Sequence, residues 1–318
     1  MKALTPRELV KELDCSIIGQ ERAKRDLAVA IRNRWRSQQA RLCSEEDIAG
    51  HRYLLTGPRG AGKSALVRRA AQAIDAPYAH VSALRLAGPG AQEKAAGELL
   101  ESLIESVRPR VASQETAVAN VRMSAIISID DIDRLFPSGL SEDNRDERLE
   151  AAQQAFYRLL SAPAVHTRHG EIPTANVLIV AASQTPASRL ADQWPDLQAL
   201  FPRRIELDNL TDDDLLHILS NGMSSPVQHY IALMASEGLT LHFAPEGLEA
   251  IAFEAGEQNR KSEDIGARRL AMVIEGVLDE LLFDPAGAAQ TDVMIDAGYV
   301  AARITVDGDD DDLADFIL

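Results

Sequence analysis

The sequence is poor in several residue types, and each scarcity narrows the class of protein. Its 318 residues include two cysteines, Cys15 and Cys43, which lie far apart and show no metal-ligand spacing. This favours two free thiols over a disulfide or a zinc site. No apolar run is long enough to cross a bilayer, and the charged start, MKALTPRELVKELD, is unlike a signal peptide. We therefore expect a cytoplasmic protein that has no membrane partner.

Basic residues are also scarce relative to acidic ones. The chain has 33 Lys and Arg against 49 Asp and Glu, which gives a formal net charge of −16 at pH 7. The averaged field of such a protein repels nucleic acids, so we expect no nucleic-acid partner even though basic residues cluster between Arg22 and Arg36. A hydrophobic content of 46% is ordinary for a folded protein with a buried core.

Short apolar runs alternate with helical stretches in the first two thirds of the chain. The runs that we predict as strands lie at 53–56, 78–82, 125–129, 177–182 and 204–207. Strands that alternate with helices indicate an α/β fold with a parallel, helix-covered sheet. From about residue 210 the pattern is mainly helical, with helices predicted at 212–220, 226–237, 245–256 and 266–283. We therefore expect a large domain over 1–209 and a smaller helical domain over 210–318.

A glycine-rich segment lies between the first predicted strand and a predicted helix. It matches the pattern G-x-x-x-x-G-K-[ST], in which backbone N–H groups surround phosphates at a helix N-terminus. Its lysine is expected to reach the β- and γ-phosphates and its serine to bind Mg²⁺. Together with the next residue, it gives the predicted phosphate-binding set: Gly57, Pro58, Arg59, Gly60, Ala61, Gly62, Lys63, Ser64 and Ala65.

A second motif, ISIDDIDRLF at 127–136, places two carboxylates at the end of a predicted buried strand. Asp130 is expected to hold Mg²⁺ through water, and Asp131 to orient and activate the attacking water. Such sites usually carry Glu in the second position, and Asp is shorter by one methylene, about 1.5 Å. Since a displacement near 1 Å at a reacting centre can cost about 10²-fold in rate, the sequence predicts slow hydrolysis.

The chain resembles a family of AAA+ proteins, HslU (ClpY), the unfoldase that feeds the HslV peptidase. The resemblance rests on TPRELVKELDCSIIGQERAKRDLAVAIRNRWR, YIALMASEGL, SEDIGARRL and the terminal DLADFIL. It covers nearly the whole chain with one large gap. It implies an AAA+ P-loop NTPase fold with a helical lid, ATP or ADP and Mg²⁺ as cofactors, and a hexameric ring with nucleotide at the subunit seams.

The resemblance also assigns roles to residues outside the two motifs. Ile17 and Ile18 would line the adenine pocket, although both also fit a plain aliphatic core. Arg268 would be the sensor-2 arginine, which reaches the phosphates from the lid. The tail Phe316-Ile317-Leu318 would dock on an HslV-like peptidase, and a full-length HslU is a further candidate partner.

Two departures from the family concern substrate handling. The large intermediate domain of HslU is reduced here to a short connection at 108–124. The tyrosine of the family's pore loop is replaced by Ala91, in Gly90-Ala91-Gln92-Glu93. A methyl group lacks the contact area of an aromatic ring, so threading by the family mechanism is not expected.

Two further departures concern hydrolysis. Leu200 stands where the family has its arginine finger, and the loss of a finger can cost 10³-fold or more. Arg203 is the better candidate to replace it, since Arg204 has its own counterpart in the family. In the sensor-1 segment VAASQT, Ala182 occupies the aligned position and Ser183 follows it. We expect a weak HslU-like ATPase of the unfoldase type, or alternatively a degenerate nucleotide-binding regulator or scaffold.

Overall fold

The protein forms two compact units in the computed structural model. The first comprises Met1–Pro58 with Gly62–Asp208, and the second comprises Arg59–Ala61 with Asn209–Leu318. The structure describes residues 2–40, 51–86, 91–136, 147–221, 225–285 and 291–304.

Five parallel strands make the sheet of the first unit, in the order β2-β3-β6-β1-β7. The strands of this unit are β1 Arg52–Thr56, β2 Tyr78–Ser82, β3 Ile126–Asp130, β4 Ala164–Thr167, β5 Gly170–Pro173, β6 Leu178–Ser183 and β7 Arg203–Glu206. All five strands predicted for the sheet are confirmed. Strand β6 is buried along its whole length and β3 nearly so, as expected for central strands of a parallel sheet that is covered on both faces.

Helices surround this sheet: α1 Pro6–Asp14, α2 Glu21–Ala40, α3 Lys63–Ala73, α4 Ala91–Val107, α5 Gln114–Ser124, α6 Glu147–Ser161, α7 Ala187–Gln193 and α8 Leu197–Leu200. Helix α1 begins with a capping box between Thr5 and Glu8, which satisfies N–H groups of the first turn. Helix α1 was not among the helices predicted from the sequence.

The segment 108–124 forms a 3₁₀ turn and helix α5. The turn is Arg108–Arg110, and Ser113 caps α5 by accepting a hydrogen bond from the N–H of Thr116. The apolar face of α5 belongs to the main core of the first unit through Ala117, Val118 and Val121. The segment is therefore a packed part of this unit.

Strands β4 and β5 pair as an antiparallel hairpin that lies against α4. The backbone of α4 comes close at Gly97, where an added Cβ would lie 2.7 Å from the carbonyl oxygen of His166. Arg168 of the hairpin bonds to Glu101 of the same helix, with Nε and Oε2 2.8 Å apart.

The second unit is mainly helical. It contains α9 Asp212–Ser220, α10 Pro226–Ser236, β8 Thr240–Phe243, α11 Pro245–Lys261, α12 Arg268–Phe283, β9 Asp292–Ile295 and α13 Ala297–Ile304. The four predicted helices are confirmed, with α11 longer and α12 shorter than predicted. Strand β8, which was not predicted, pairs in parallel with β9. Within the described ranges, no helix combines the length and apolar character that a membrane span requires.

Candidate functional site

The phosphate loop (Gly57–Ser64) connects β1 to α3, as its sequence predicts. Gly57 has φ +151°, and a Cβ there would lie 2.8 Å from the Leu207 carbonyl oxygen. Gly62 is the N-cap of α3 with φ +95°, and a Cβ there would meet nothing within 4 Å. The space beside the N-terminus of α3 is therefore open, and the helix dipole favours an anion there.

Lys63 and Ser64 form the first turn of α3. The Nζ of Lys63 donates to the carbonyl oxygens of Gly57 and Pro58, both at 2.7 Å, so the ammonium group lies against the start of the phosphate loop. The next residue, Ala65, is half-buried. The arrangement supplies a positive charge to the same short segment that presents the helix N-terminus.

Asp130 ends β3 and meets the phosphate loop through Ser64. The Ser64 hydroxyl donates to Oδ2 of Asp130, and the Ser128 hydroxyl donates to its Oδ1 at 3.2 Å. The Asp130 side chain is 20% exposed, and Nδ1 of His80 lies 3.8 Å from Oδ2. The two predicted metal ligands, Ser64 and Asp130, are therefore in direct contact.

This donor set fits Mg²⁺, which prefers oxygen ligands and keeps several waters. When bound, the ion would neutralise charge on the phosphate oxygens. Ser64 and Asp130 would hold it, the first from the helix and the second from the sheet.

The environment of Asp130 also affects Tyr78, which lies on the neighbouring strand β2. Burial raises the pKa of Tyr78, and the charge of Asp130 raises it further, while a hydrogen bond with Ser128 acts in the opposite direction. Tyr78 is thus held neutral beside the carboxylate.

Asp131 has an unusual backbone conformation directly after β3. Its φ and ψ are 58° and 40°, in the left-handed region, and the 3₁₀ turn Ile132–Leu135 begins immediately after it. Few residues other than glycine adopt this region, although Asp and Asn do so more readily than most. The conformation sets the direction in which the Asp131 side chain leaves the strand end.

The side chain of Asp131 has a partner that the sequence did not indicate. Nε2 of Gln184 donates to its Oδ1 at 3.2 Å. Ser183, the expected polar group of the sensor-1 segment, is instead engaged locally. Its hydroxyl donates to the Thr185 carbonyl oxygen at 3.0 Å and accepts from the Thr185 N–H at 2.9 Å. In the sequence, the only indication that Gln184 belongs to the site was its place as a polar residue directly after a buried strand.

The predicted adenine-binding segment lies between α1 and α2. Ile17 is buried and Ile18 is half-buried. The segment is fixed at Gln20, whose side chain pairs with the backbone of Asp208: Nε2 donates to the Asp208 carbonyl at 2.8 Å, and Oε1 accepts its N–H at 3.0 Å. Gln20, which was not predicted, thus links this segment to the residue that follows β7 by two positions.

The tip of the phosphate loop, Arg59–Ala61, belongs to the second unit. Within that unit, Nη1 of Arg59 lies 2.8 Å from Oε1 of Glu263. At Gly60, which has φ +68°, a Cβ would lie 1.7 Å from the carbonyl oxygen of Ile265. Only glycine fits this position.

The two arginines of the sequence GARRL differ in their contacts. Arg268, the predicted sensor-2 residue, begins α12 and is exposed; its side chain makes no hydrogen bond or ion pair with any residue that the structure describes. Arg269 donates to the Ser262 hydroxyl at 2.8 Å and to the Glu263 carbonyl at 2.9 Å. Arg269 therefore holds the segment before α12, whereas Arg268 points toward solvent.

The position of the family's arginine finger is apolar in structure as well as in sequence. Leu200 ends α8, is partly buried and packs against the main core of the first unit. Arg203 and Arg204 lie on β7, which is an edge strand, and both are exposed. Burial raises the pKa of Tyr53, while the neighbouring guanidinium of Arg203 lowers it in part through a hydrogen bond. The guanidinium of Arg203 therefore lies near Tyr53 within the same unit.

Two predictions fall largely outside the described residues. Of the pore-loop segment, Gly90 lies outside them, and Ala91 is the first residue of α4. The docking tail, Phe316-Ile317-Leu318, also lies outside them.

The comparison with known families agrees with this geometry. Residues 53–209 match the model of the ATPase family associated with various cellular activities (AAA). The matched stretch begins in β1 and ends after β7, so it includes the phosphate loop, Asp130, Asp131 and Gln184. Residues 53–209 therefore form an AAA ATPase domain, built as an α/β P-loop NTPase fold with a parallel sheet.

Proposed function

We propose that this chain is an HslU-like AAA+ ATPase subunit that binds ATP or ADP with Mg²⁺ and hydrolyses ATP slowly. One observation carries the proposal. The phosphate loop and the carboxylate after β3 are joined through the contact of Ser64 with Asp130, and these are the two groups that a magnesium–nucleotide complex needs from opposite sides.

Each residue of the site has a defined part in this function. Lys63 would leave the loop carbonyls and bind phosphate oxygens, and Arg268, the predicted sensor-2 residue, would add a second positive charge. Asp131 accepts the proton of a water whose oxygen bonds to the γ-phosphorus, while ADP leaves with the electron pair of the broken bond. Ile17 and Ile18 would contact the adenine ring.

Slow hydrolysis follows from two positions. Asp131 is one methylene shorter than the usual glutamate, so its carboxylate lies farther from the water. At Leu200, an aliphatic side chain that packs against the core cannot place positive charge at a neighbouring subunit's nucleotide. The missing finger is the larger of the two effects, since fingers contribute about 10³-fold or more.

The assembly is part of the proposal. The chain would form a ring, hexameric as in HslU, and contact an HslV-like peptidase through Phe316-Ile317-Leu318; a full-length HslU is a further candidate partner. With Ala91 at the pore position, it would remodel or recruit partners without gripping a threaded chain through an aromatic side chain.

A second candidate function is a regulator or scaffold that binds nucleotide without hydrolysing it. It is favoured by the packing of Leu200 against the core of the first unit, because no cation then stands at the position of the family's arginine finger. In this case ATP occupancy alone would switch the partner interaction.

Steady-state ATP turnover at a protein concentration that supports ring formation distinguishes the two. We expect turnover above that of Lys63→Ala, and bound nucleotide by titration calorimetry. Turnover equal to Lys63→Ala with nucleotide still bound would establish the regulator. Absence of nucleotide binding in the wild type would refute both functions.

A further inference from the structure

A histidine outside both sequence motifs lies beside Asp130. His80 is on β2, where it is opposite Ser128 of β3 in the parallel register. Its Nδ1 lies 3.8 Å from Oδ2 of Asp130, which is two residues further along β3. Because alternate residues of a strand point to the same face, the side chains of His80, Ser128 and Asp130 share one face of the sheet.

The hydrogen bonds of Asp130 direct one of its two oxygens toward His80. Oδ1 accepts from the Ser128 hydroxyl at 3.2 Å, whereas Oδ2 accepts from the Ser64 hydroxyl. It is this same Oδ2 that His80 approaches. Three groups that can bind a metal ion, the Ser64 hydroxyl, the Asp130 carboxylate and the His80 imidazole, therefore come together from α3, β3 and β2.

The distance between His80 and Asp130 suits two donors of one ion. Nitrogen and oxygen donors lie about 2.0–2.1 Å from a small divalent cation, so two donors of one ion are at most about 4.2 Å apart. Nδ1 of His80 and Oδ2 of Asp130, at 3.8 Å, are within this limit and too far apart for a hydrogen bond. The His80 side chain is 47% exposed, so its ring has room to turn toward an ion.

The alternative role for His80 is an ion pair with Asp130. Such a pair needs a protonated imidazole, and at an exposed position it contributes little to stability. His242 and Asp292 form a comparable pair in the second unit, with Nε2 and Oδ1 3.7 Å apart and 54% of the imidazole side chain exposed. Among the described residues no hydroxyl group bonds to Asp292, so this reference pair matches His80 in geometry without the rest of the metal site.

We propose that His80 is a third protein donor at the metal site of Ser64 and Asp130, so that this site takes a divalent transition metal in preference to Mg²⁺. Mg²⁺ prefers oxygen donors, whereas an imidazole nitrogen favours the later transition metals. The inference rests on the proposed function, because the nucleotide phosphates complete the set of donors. Ser64 and Asp130 by themselves offer oxygen alone, and His80 changes the chemistry of the set.

Bound Mn²⁺ reports directly on a nitrogen donor. In the complex of the full chain with Mn²⁺ and ADP, pulsed electron paramagnetic resonance should show ¹⁴N coupling from a bound imidazole. Labelling the histidines with ¹⁵N should convert it to ¹⁵N coupling, which identifies histidine rather than adenine as the source. His80→Ala should lose the coupling, and His242→Ala, from the reference pair, should keep it. Wild-type protein that binds Mn²⁺ and ADP without histidine coupling, or His80→Ala that retains it, would overturn the inference.

Titration calorimetry measures the preference between metals. Replacing Mg²⁺ by Co²⁺ should tighten ADP binding about tenfold more in the wild type than in His80→Gln, whose side chain offers an amide oxygen in place of the nitrogen. Comparing two proteins removes the intrinsic preference of phosphate for either ion. His242→Gln should respond to the exchange as the wild type does. An equal response of the wild type and His80→Gln would contradict the inference.

The two proposals fail in different ways. Wild-type protein that binds no ADP with Mg²⁺, Mn²⁺ or Co²⁺ would refute the proposed function and this inference with it. Wild-type protein that binds ADP with Mg²⁺ but gains no more from Co²⁺ than His80→Gln does would refute this inference alone.

Discussion

Two regions of the first unit, the phosphate loop with Asp130 and the segment from α8 to β7, differ in what their side chains do. In the first region, polar groups meet each other: Ser64 bonds to Asp130, and Lys63 lies on the loop carbonyls. In the second, Leu200 packs against the apolar core, and the guanidinium of Arg203 lies near Tyr53. Under the proposed function, nucleotide binding within a subunit would keep its groups, whereas catalysis across a subunit seam would lack its cation.

The two proposed functions, nucleotide binding and catalysis across a subunit seam, have different physical requirements. A bound phosphate needs a helix N-terminus, a lysine and a metal carboxylate, all of which are local to one sheet edge. A finger must project from a surface toward another subunit. A leucine at that position is stabilised by packing inward, away from a neighbouring subunit.

The largest expected effect comes from breaking the first region. Lys63→Ala should weaken ATP binding about a hundredfold, because it removes a cation that bonds to charged phosphate oxygens. Titration calorimetry measures the affinity. Lys11→Ala, at an exposed position on α1, is the control and should bind ATP normally. Undiminished binding by Lys63→Ala would mean that the phosphates lie elsewhere.

Restoring the second region should have the next largest effect. We expect Leu200→Arg to raise ATP turnover at least about tenfold at ring-forming concentration, since the new guanidinium can stabilise the transferring phosphoryl group. Stability should fall by about 1 kcal/mol as the partly buried leucine is lost. Leu200→Lys controls for charge without the guanidinium fork. If neither variant raises turnover, the missing finger is not what limits hydrolysis.

The hydrogen-bonded pair Tyr230 and Glu275 in the second unit tests whether a substitution outside the first unit changes ATP affinity. Tyr230 donates to Oε1 of Glu275 at 2.8 Å. Tyr230→Phe should lower the free energy of unfolding by about 1 kcal/mol at neutral pH and leave ATP affinity unchanged. Urea denaturation and calorimetry measure the two quantities. A loss of ATP affinity here would show that the contrast between regions is not confined to the first unit.

The same pair predicts a pH dependence. Burial, and then the bond to Glu275, raise the pKa of Tyr230 to about 12. Because the folded state holds this proton more tightly than the unfolded state does, the contribution is complete below pH ~10 and is lost as pH rises toward about 12. The wild type should therefore lose more stability than Tyr230→Phe over this interval. If the stability of the wild type and of Tyr230→Phe falls equally between pH ~10 and about 12, Tyr230 is not the group responsible.

The smallest expected effect is that of Arg203→Ala. Since the guanidinium of Arg203 lies near Tyr53 within its own unit, its removal should change ATP turnover less than about twofold. Arg204→Ala, on the same exposed edge strand, is the matched control. If turnover of Arg203→Ala falls about tenfold while that of Arg204→Ala does not, Arg203 is the replacement finger, and the second region retains its function after all.

Much of the fold could be predicted because its signals are local. Buried parallel strands such as β3 and β6 are short apolar runs, and their ends agreed with prediction to within one residue. Strand β8 was missed because its alternation spans only four residues between two long helices. Helix α5 was expected as a short connection, since a brief polar segment gives little sign of which face will pack.

The residues of the candidate site also fall into those that could be predicted and those that could not. A contiguous motif such as the phosphate loop carries its chemistry in its spacing, so Lys63, Ser64 and Asp130 were predicted and lie together in the first unit. Gln184 and Gln20 were not predicted, because each acts on a residue far away in the chain, at separations of 53 and 188 positions. Nothing in the spacing of either glutamine points to its partner.

The sequence by itself determined the class of fold and the nucleotide chemistry, because helix and strand periods and a glycine-rich motif are properties of neighbouring residues. Only the tertiary structure decided which side chains meet. It gave Asp131 a partner directly after an adjacent strand, committed Ser183 to its own turn, and packed Leu200 against the core. The reason is physical: hydrogen bonds and apolar packing act over a few ångströms in space, and the order of strands in the sheet, not the order in the chain, sets those distances.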